Sequence, residues 1–201
     1  MRAELSGHAA ERAEAYRFTD PAKLATSLPG LAEVGAPTVT AITGRAARFR
    51  TGRQFRSFTG LAPRASETGD TDRKGQPMSK AGNRLLRTTL IRAADNARRQ
   101  DPQLAKIYHT QMVERGADHL KACCVVAAHL AERLHAVLTR QMPYIICDID
   151  GVPVDPATAK KIIAEQWTVP AEVRARRRSR KSSRPHPSQA GEGPSASPHR
   201  T

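Results

Sequence analysis

Between Asn83 and Arg99 the apolar residues Leu86, Leu90, Ala93, Ala94 and Ala97 recur at three- and four-residue steps. That is the period of a helix with one buried face. The opposite face bears Arg84, Arg87, Arg92, Arg98 and Arg99, with Asp95 as its acid. A merely solvated face usually mixes in as many acids as bases, so this one reads as a phosphate-tracking surface. A second stretch with a helical period, His119 to Arg140, puts Leu120, Cys123, Cys124, Ala127, Leu130, Leu134 and Leu138 on one side. Aromatic residues make up only 4% of the chain, so the core these helices build must be mostly aliphatic and alanine-rich. Phe49, Phe55 and Phe58 are the aromatic exception and are expected to anchor a compact core around 53–60.

The remaining layout follows from turn and cap chemistry. Residues 1–20 read as a short charged helix and linker, and 21–140 as the main domain. Asp20-Pro21 is expected to start a helix, with Asp20 as N-cap and Pro21 at the first helical position. That helix ends at Leu28-Pro29-Gly30, and another runs from about Thr38 to Thr43 before Gly44. Residues 60–80 (GLAPRASETGDTDRKGQPMSK) are dense in Gly, Pro, Ser, Thr and Asp and form a long loop. Asp101-Pro102 caps a helix reaching roughly Arg115, with Gly116 as its stop. Residues 141–170 form a short extension with a strand-like run, Tyr144 to Ile149, and a small helix from Ala157 to Gln166. The fold class is all-α, with at most one short hairpin. Residues 171–201, with RARRRSRKSSR followed by Pro, Ser and Gly, offer little to bury and read as a disordered basic tail.

The formal net charge is +14, and it is unevenly spread. Residues 42–106 have a net charge of +10 and 171–201 one of +6, while the other segments are close to neutral. A pI near 10.7 points to a polyanionic partner, nucleic acid before membrane. No run approaches 18 consecutive apolar residues, and Met1 to Leu24 has no apolar signal region, so a membrane span and a secretory leader are not expected. Three cysteines, two of them adjacent, give no disulfide framework and suit a reducing cytoplasm.

Several motifs read as structure rather than chemistry. Asp148-Ile149-Asp150-Gly151 lacks the further carboxylates of a calcium loop and is a turn. His109, His119, His129 and His135 form no i,i+4 pair with one another, and Cys123 and Cys124 read as core residues, so no metal ligands are expected. Leu28-Pro29-Gly30 between short helices is similar to a helix–hairpin–helix over about 24–44, where amides at a Gly-rich turn hold a DNA phosphate. Ala32 stands where the usual second glycine would, and an ordinary helix connection is the alternative. Ser66 and Thr68 lie among Arg64, Arg73, Lys74 and Lys80, where a hydroxyl could attack a phosphodiester held by cations. The alternative there is a pair of turn formers.

The run from Phe55 to Tyr108 resembles the C-terminal domain of the IS-one-ten family of insertion-sequence transposases. The resemblance is carried by Gly60-Leu61-x-Pro63, a hydroxyl–Gly pair at Thr68-Gly69, Ser79-Lys80-x-Gly82-Asn83 and Leu86-Arg87, with Leu28-Pro29-Gly30 upstream, over roughly 22–140. It implies DNA transposition or recombination by a serine nucleophile. It also implies a RuvC-like domain with four acidic ligands for Mg2+, and a structured guide RNA pairing with DNA. The RuvC-like domain is expected to lie outside this chain, which then reads as a truncated C-terminal part, inactive alone and with no cofactor of its own. Position by position the resemblance selects Thr68 as nucleophile; the less hindered primary hydroxyl favours Ser66. DNA contacts are expected from Pro29, Gly30, Arg64, Lys80, Asn83, Arg84 and Arg87. Expected partners are DNA and the guide RNA, with a homo-oligomer left open, in the cytoplasm at the nucleoid. The alternative is a non-catalytic nucleic-acid-binding remnant, domesticated or inert.

Overall fold

The computed structural model describes residues 2–63, 67–68, 71–72, 78–79 and 81–175; of 2–6, 67–68 and 71–72 it describes the backbone alone. The expected all-α character holds. The main helices are α1 (Arg2–Thr19), α2 (Gly35–Thr43), α3 (Gly52–Phe58), α4 (Arg84–Ala97), α5 (Pro102–Val113), α6 (His119–Arg140) and α7 (Pro156–Gln166). Two 3-10 turns, Leu24–Ser27 and Ala46–Arg48, join them. A minimal antiparallel pair, β1 (Glu67–Thr68) and β2 (Thr71–Asp72), sits in the long loop with Thr68 opposite Thr71.

Helix starts are fixed by side-chain caps that satisfy orphan amides. Asn83 accepts from the Leu86 N–H at 3.0 Å, Asp101 from Leu104 at 2.9 Å, and Thr51 from Gln54 at 3.2 Å. Asp155 accepts from Ala157 and Thr158. Pro102 and Pro156 occupy first-turn positions, where a missing N–H costs nothing.

α6 is the centre of the molecule and packs against α3, α4 and α5. Ala122, Val126, Ala127, Leu130, Ala131 and Leu134 are buried along it. It is long and apolar enough on average to cross a membrane, but that apolar stripe faces its helical neighbours, as in a core helix. α4 buries the five residues its periodicity selects, Leu86, Leu90, Ala93, Ala94 and Ala97. Each fully buried leucine contributes about 2 kcal/mol of transfer free energy. Phe55 is buried, with Phe49 and Phe58 packed on it at ring centroid distances of 5.2 and 6.3 Å.

Four expectations change in detail. Asp20 accepts from the Leu24 and Ala25 N–H groups at 2.8 Å, but the N-cap position is Lys23 and Pro21 lies in a turn, so the element that begins there is the one-turn 3-10 helix Leu24–Ser27. Lys23 adopts a left-handed φ of 53° there, which breaks α-helical continuity. Leu120 is exposed rather than part of the α6 core face. Tyr144 to Ile149 forms no strand; it enters a turn closed by a Cys147–Pro153 bridge. Residues 171–175, assigned to the tail from sequence, are helical, and Val173 packs on the core. Residues 176–201 lie outside the described residues.

Candidate nucleic-acid interface

Two features expected to meet nucleic acid converge on α4. The first is the neck of the 60–80 loop. Gly60 and Gly82 have φ of 72° and 107°, which side-chain-bearing residues rarely adopt. A Cβ on Gly60 would lie 2.2 Å from the Ala81 carbonyl oxygen, and one on Gly82 would lie 2.3 Å from that of Phe58. The two ends of the loop therefore cross backbone on backbone. The Ser79 N–H donates to the Ala62 carbonyl at 2.9 Å, and Pro63 and Met78 form a bridge. Arg87, one turn into α4, reaches toward Gly60: Nη1 would lie 2.8 Å from a Cβ placed there.

The second feature is the Leu28–Leu31 turn. The Leu31 N–H donates to the Leu28 carbonyl at 3.2 Å, and Gly30 takes a φ of 83°. A Cβ on Gly30 would lie 2.1 Å from the Ala93 carbonyl oxygen of α4, so the turn is seated directly on that helix. Pro29 is buried and Gly30 half-buried. They seat the turn, and the residues after it, Ala32 to Val34, are exposed and lead into α2. Ala36 and Thr38 return hydrogen bonds to Ala32 and Val34, which starts the α2 ladder. A helix start of this kind presents amides toward an anion.

The charges along α4 differ from end to end. Arg84 and Arg92 are exposed, and among the described residues neither has an ion-pair partner. Arg98 and Arg99 bind Asp95 at 2.7 and 3.1 Å, and the Arg98 guanidinium stacks 4.1 Å over Tyr108. Burial opposes the charge on Asp95, but the Arg98 hydrogen bond and the two guanidinium charges outweigh it, holding the carboxyl below its usual range. Arg98 and Arg99 are therefore both paired with Asp95, Arg98 largely covered and Arg99 still 60% exposed, so the arginine face read from the sequence is not uniformly free. A further exposed cation, Arg48, lies over the rings of Phe49 and Phe58 at 4.5 and 4.7 Å.

Of the residues expected at the site, Asn83, Arg84 and Arg87 stand together at the start of α4, beside the neck. The Asn83 oxygen is spent on its cap, which leaves its amide nitrogen to act outward. Thr68 is placed by its backbone in β1; its side chain, together with Ser66, Arg64 and Lys80, lies outside the described residues. Asp148 is a turn residue, as expected: Oδ1 accepts from Asp150 and Val152. Sequence reading missed a buried polar junction. Arg133 of α6 donates to Asp101 at 2.9 Å and to Gln103 at 2.9 Å, and Tyr144 also binds Asp101. The carboxylate is fully buried, and its partners are 32 and 43 residues away, beyond any local pattern.

Part of the chain matches known proteins. The family model for Transposase IS116/IS110/IS902 family matches residues 22–110, from the turn through α4 and into α5. A protein described as a probable family 20 transposase from Pseudomonas aeruginosa is 44% identical over 68 residues, 34% of this chain and 20% of that protein. The transposase for insertion sequence element IS1111A from Coxiella burnetii is 32% identical over 121 residues, 59% of this chain and 33% of that protein. An uncharacterized 43.6 kDa protein of insertion element IS110 from Streptomyces coelicolor is 28% identical over 113 residues, 56% of this chain and 27% of that protein. The matched segment thus spans about a fifth to a third of these relatives.

Proposed function

This chain belongs to the IS116/IS110/IS902 transposase family, and from that premise we propose that residues 22–140 are a DNA-binding module that presents a hydroxyl loop to a phosphodiester during transposition. The observation that supports this best is the double seating on α4. The turn closes on Ala93 through Gly30, and the loop neck closes on Ala81 and Arg87 through Gly60. α4 and the residues just before it therefore anchor both the turn that leads into α2 and the neck of the 60–80 loop. Preorganisation of that kind is what a transfer reaction between phosphates needs.

Arg84 and Arg92 would neutralise backbone phosphates, and Arg87 would hold the neck side of the same surface. Ser66 or Thr68 would supply the attacking hydroxyl, with Arg64 and Lys80 stabilising non-bridging oxygens. The resemblance ties magnesium to a RuvC-like domain. Among the described residues near α4, Asp95 is engaged by Arg98 and Asp101 by Arg133, so no pair of carboxylates here suits an all-oxygen magnesium site. No step is routed through that ion. A non-catalytic binding role would use the same surface without the hydroxyls, and a guide RNA would meet the same arginines.

Binding is expected to be salt-sensitive and weakly sequence-selective, falling by about a thousandfold or more between roughly 50 and 200 mM salt if six or more phosphates are met. A flat salt response in filter binding would overturn the proposal. Alone with Mg2+ and the element's RNA, the 201-residue chain is expected neither to cleave nor to join DNA. With a RuvC-like domain supplied in trans, loss of joining in Ser66→Ala or in Thr68→Ala identifies the nucleophile. Joining that survives both changes would favour the non-catalytic reading.

A further inference from the structure

At the far end of α4, away from the loop neck, a second group of side chains has a geometry that nucleic-acid binding does not use. Asp95 Oδ1, His119 Nε2 and Cys123 Sγ form a nearly equilateral triangle, with edges of 3.7 Å (N–O), 3.7 Å (S–N) and 3.8 Å (S–O). Donors around a tetrahedral ion at bond lengths of about 2.0 to 2.3 Å are separated by roughly 3.3 to 3.7 Å. We propose that Asp95, His119 and Cys123 form a zinc site, with water or a further ligand in the fourth position, that fastens the C-terminal end of α4 to the start of α6.

The donor set is one thiolate, one imidazole and one carboxylate, which suits zinc and not magnesium or calcium. His119 and Cys123 are four residues apart on α6, so both project from one helix face. The outer shell is in place as well. Tyr108 Oη lies 2.8 Å from His119 Nδ1, and a ring nitrogen held in this way leaves Nε2 for the metal. Entry is open on the histidine side, whose side chain is 54% exposed, while Cys123 closes the other side at 2%.

Two changes accompany loading. Sγ is 3.7 Å from both ring nitrogens, so the imidazole turns to aim Nε2. Arg98 must also release Asp95. Its guanidinium already rests on the Tyr108 ring, so it has a second seat within reach. In the protein without metal, burial pushes the Cys123 thiol up to about 12, with the Asp95 charge acting in the same direction. Binding therefore breaks an S–H bond, forms a Zn–S bond and releases that proton to solvent. Thiolate and carboxylate together balance the two charges of the ion, with Arg98 and Arg99 nearby.

The test uses the full chain, reduced, stripped with chelator and then titrated with Zn2+ or Co2+. One equivalent is expected to bind, with a thiolate-to-cobalt charge-transfer band, tetrahedral d–d intensity and a raised melting temperature that chelator reverses. His119→Asn changes a half-exposed residue and spares the core; it should abolish the equivalent, while circular dichroism confirms the fold. Tyr108→Phe should weaken binding by about 10- to 100-fold. Arg98→Met removes the competing cation and should tighten it. A cobalt spectrum without sulfur charge transfer, stoichiometric binding that survives His119→Asn, or an affinity unmoved by Arg98→Met would overturn the proposal.

Discussion

The two ends of α4 carry similar charge in the sequence and opposite roles in the fold. At the N-terminal end, Arg84 stands exposed beside the glycine-crossed neck of the loop. At the C-terminal end, Arg98 and Arg99 are drawn onto Asp95 and the Tyr108 ring. One acid placed a turn before two bases is enough to convert a surface cation into a structural one. Net charge alone therefore overstates the reach of a basic helix toward phosphate.

The most severe way to break this contrast is to remove the neck. Gly82→Ala places a Cβ against the Phe58 carbonyl at a φ of 107°. The expected loss is about 3 kcal/mol or more of unfolding free energy, read by denaturant titration. Tolerance of alanine would mean that the crossing is not tight in solution. The next largest effect concerns phosphate contact. Arg84→Ala with Arg92→Ala should lower the slope of log affinity against log salt by about two, one unit per lost contact. Arg98→Ala with Arg99→Ala should leave that slope unchanged. Equal slopes from the two double variants would erase the distinction between the ends.

A smaller effect tests the cap that starts the open end. Asn83→Ala should cost about 1 kcal/mol through the orphaned Leu86 amide, measured by thermal melting. Smallest is a pH effect at the closed end. Burial lowers the pKa of His119, with Arg98 and Arg99 acting in the same direction and Asp95 opposing them. A folded pKa below the unfolded one means that the unfolded chain takes up the proton first. The related stability is thus complete above the ordinary histidine value of about 6.5 and lost as pH falls through it toward the folded value. Burial lowers His129 likewise. His119→Gln should flatten the decline in melting temperature across that window without removing it, since His129 still titrates.

Much of the fold is legible in the sequence because it rests on local rules. The α4 core face, the α6 span and the Asp101 and Asn83 starts all follow from periodicity and capping within a few residues. What escaped is long-range or depends on unlike residues. The Arg133 junction joins α5, α6 and Tyr144 across 30 or more residues of sequence. The His119/Cys123 spacing was visible in principle, but histidines compared only with one another conceal it, and Asp95 joins from another helix. Asp20 does accept from the first two amides of the element, but the cap position falls to Lys23, whose left-handed turn no propensity for lysine suggests.

The crossed neck also bears on how such a loop can change over time. Closing a loop costs entropy mainly in bringing its ends together, and doubling a flexible loop adds only about 0.6 kcal/mol. Here the ends are held by backbone contacts at Gly60–Ala81 and Gly82–Phe58, outside the segment they enclose. Residues between Pro63 and Met78 can then be lengthened, shortened or exchanged at little thermodynamic penalty. Substitutions enclosed by the neck are then expected to leave the anchor on α4 in place.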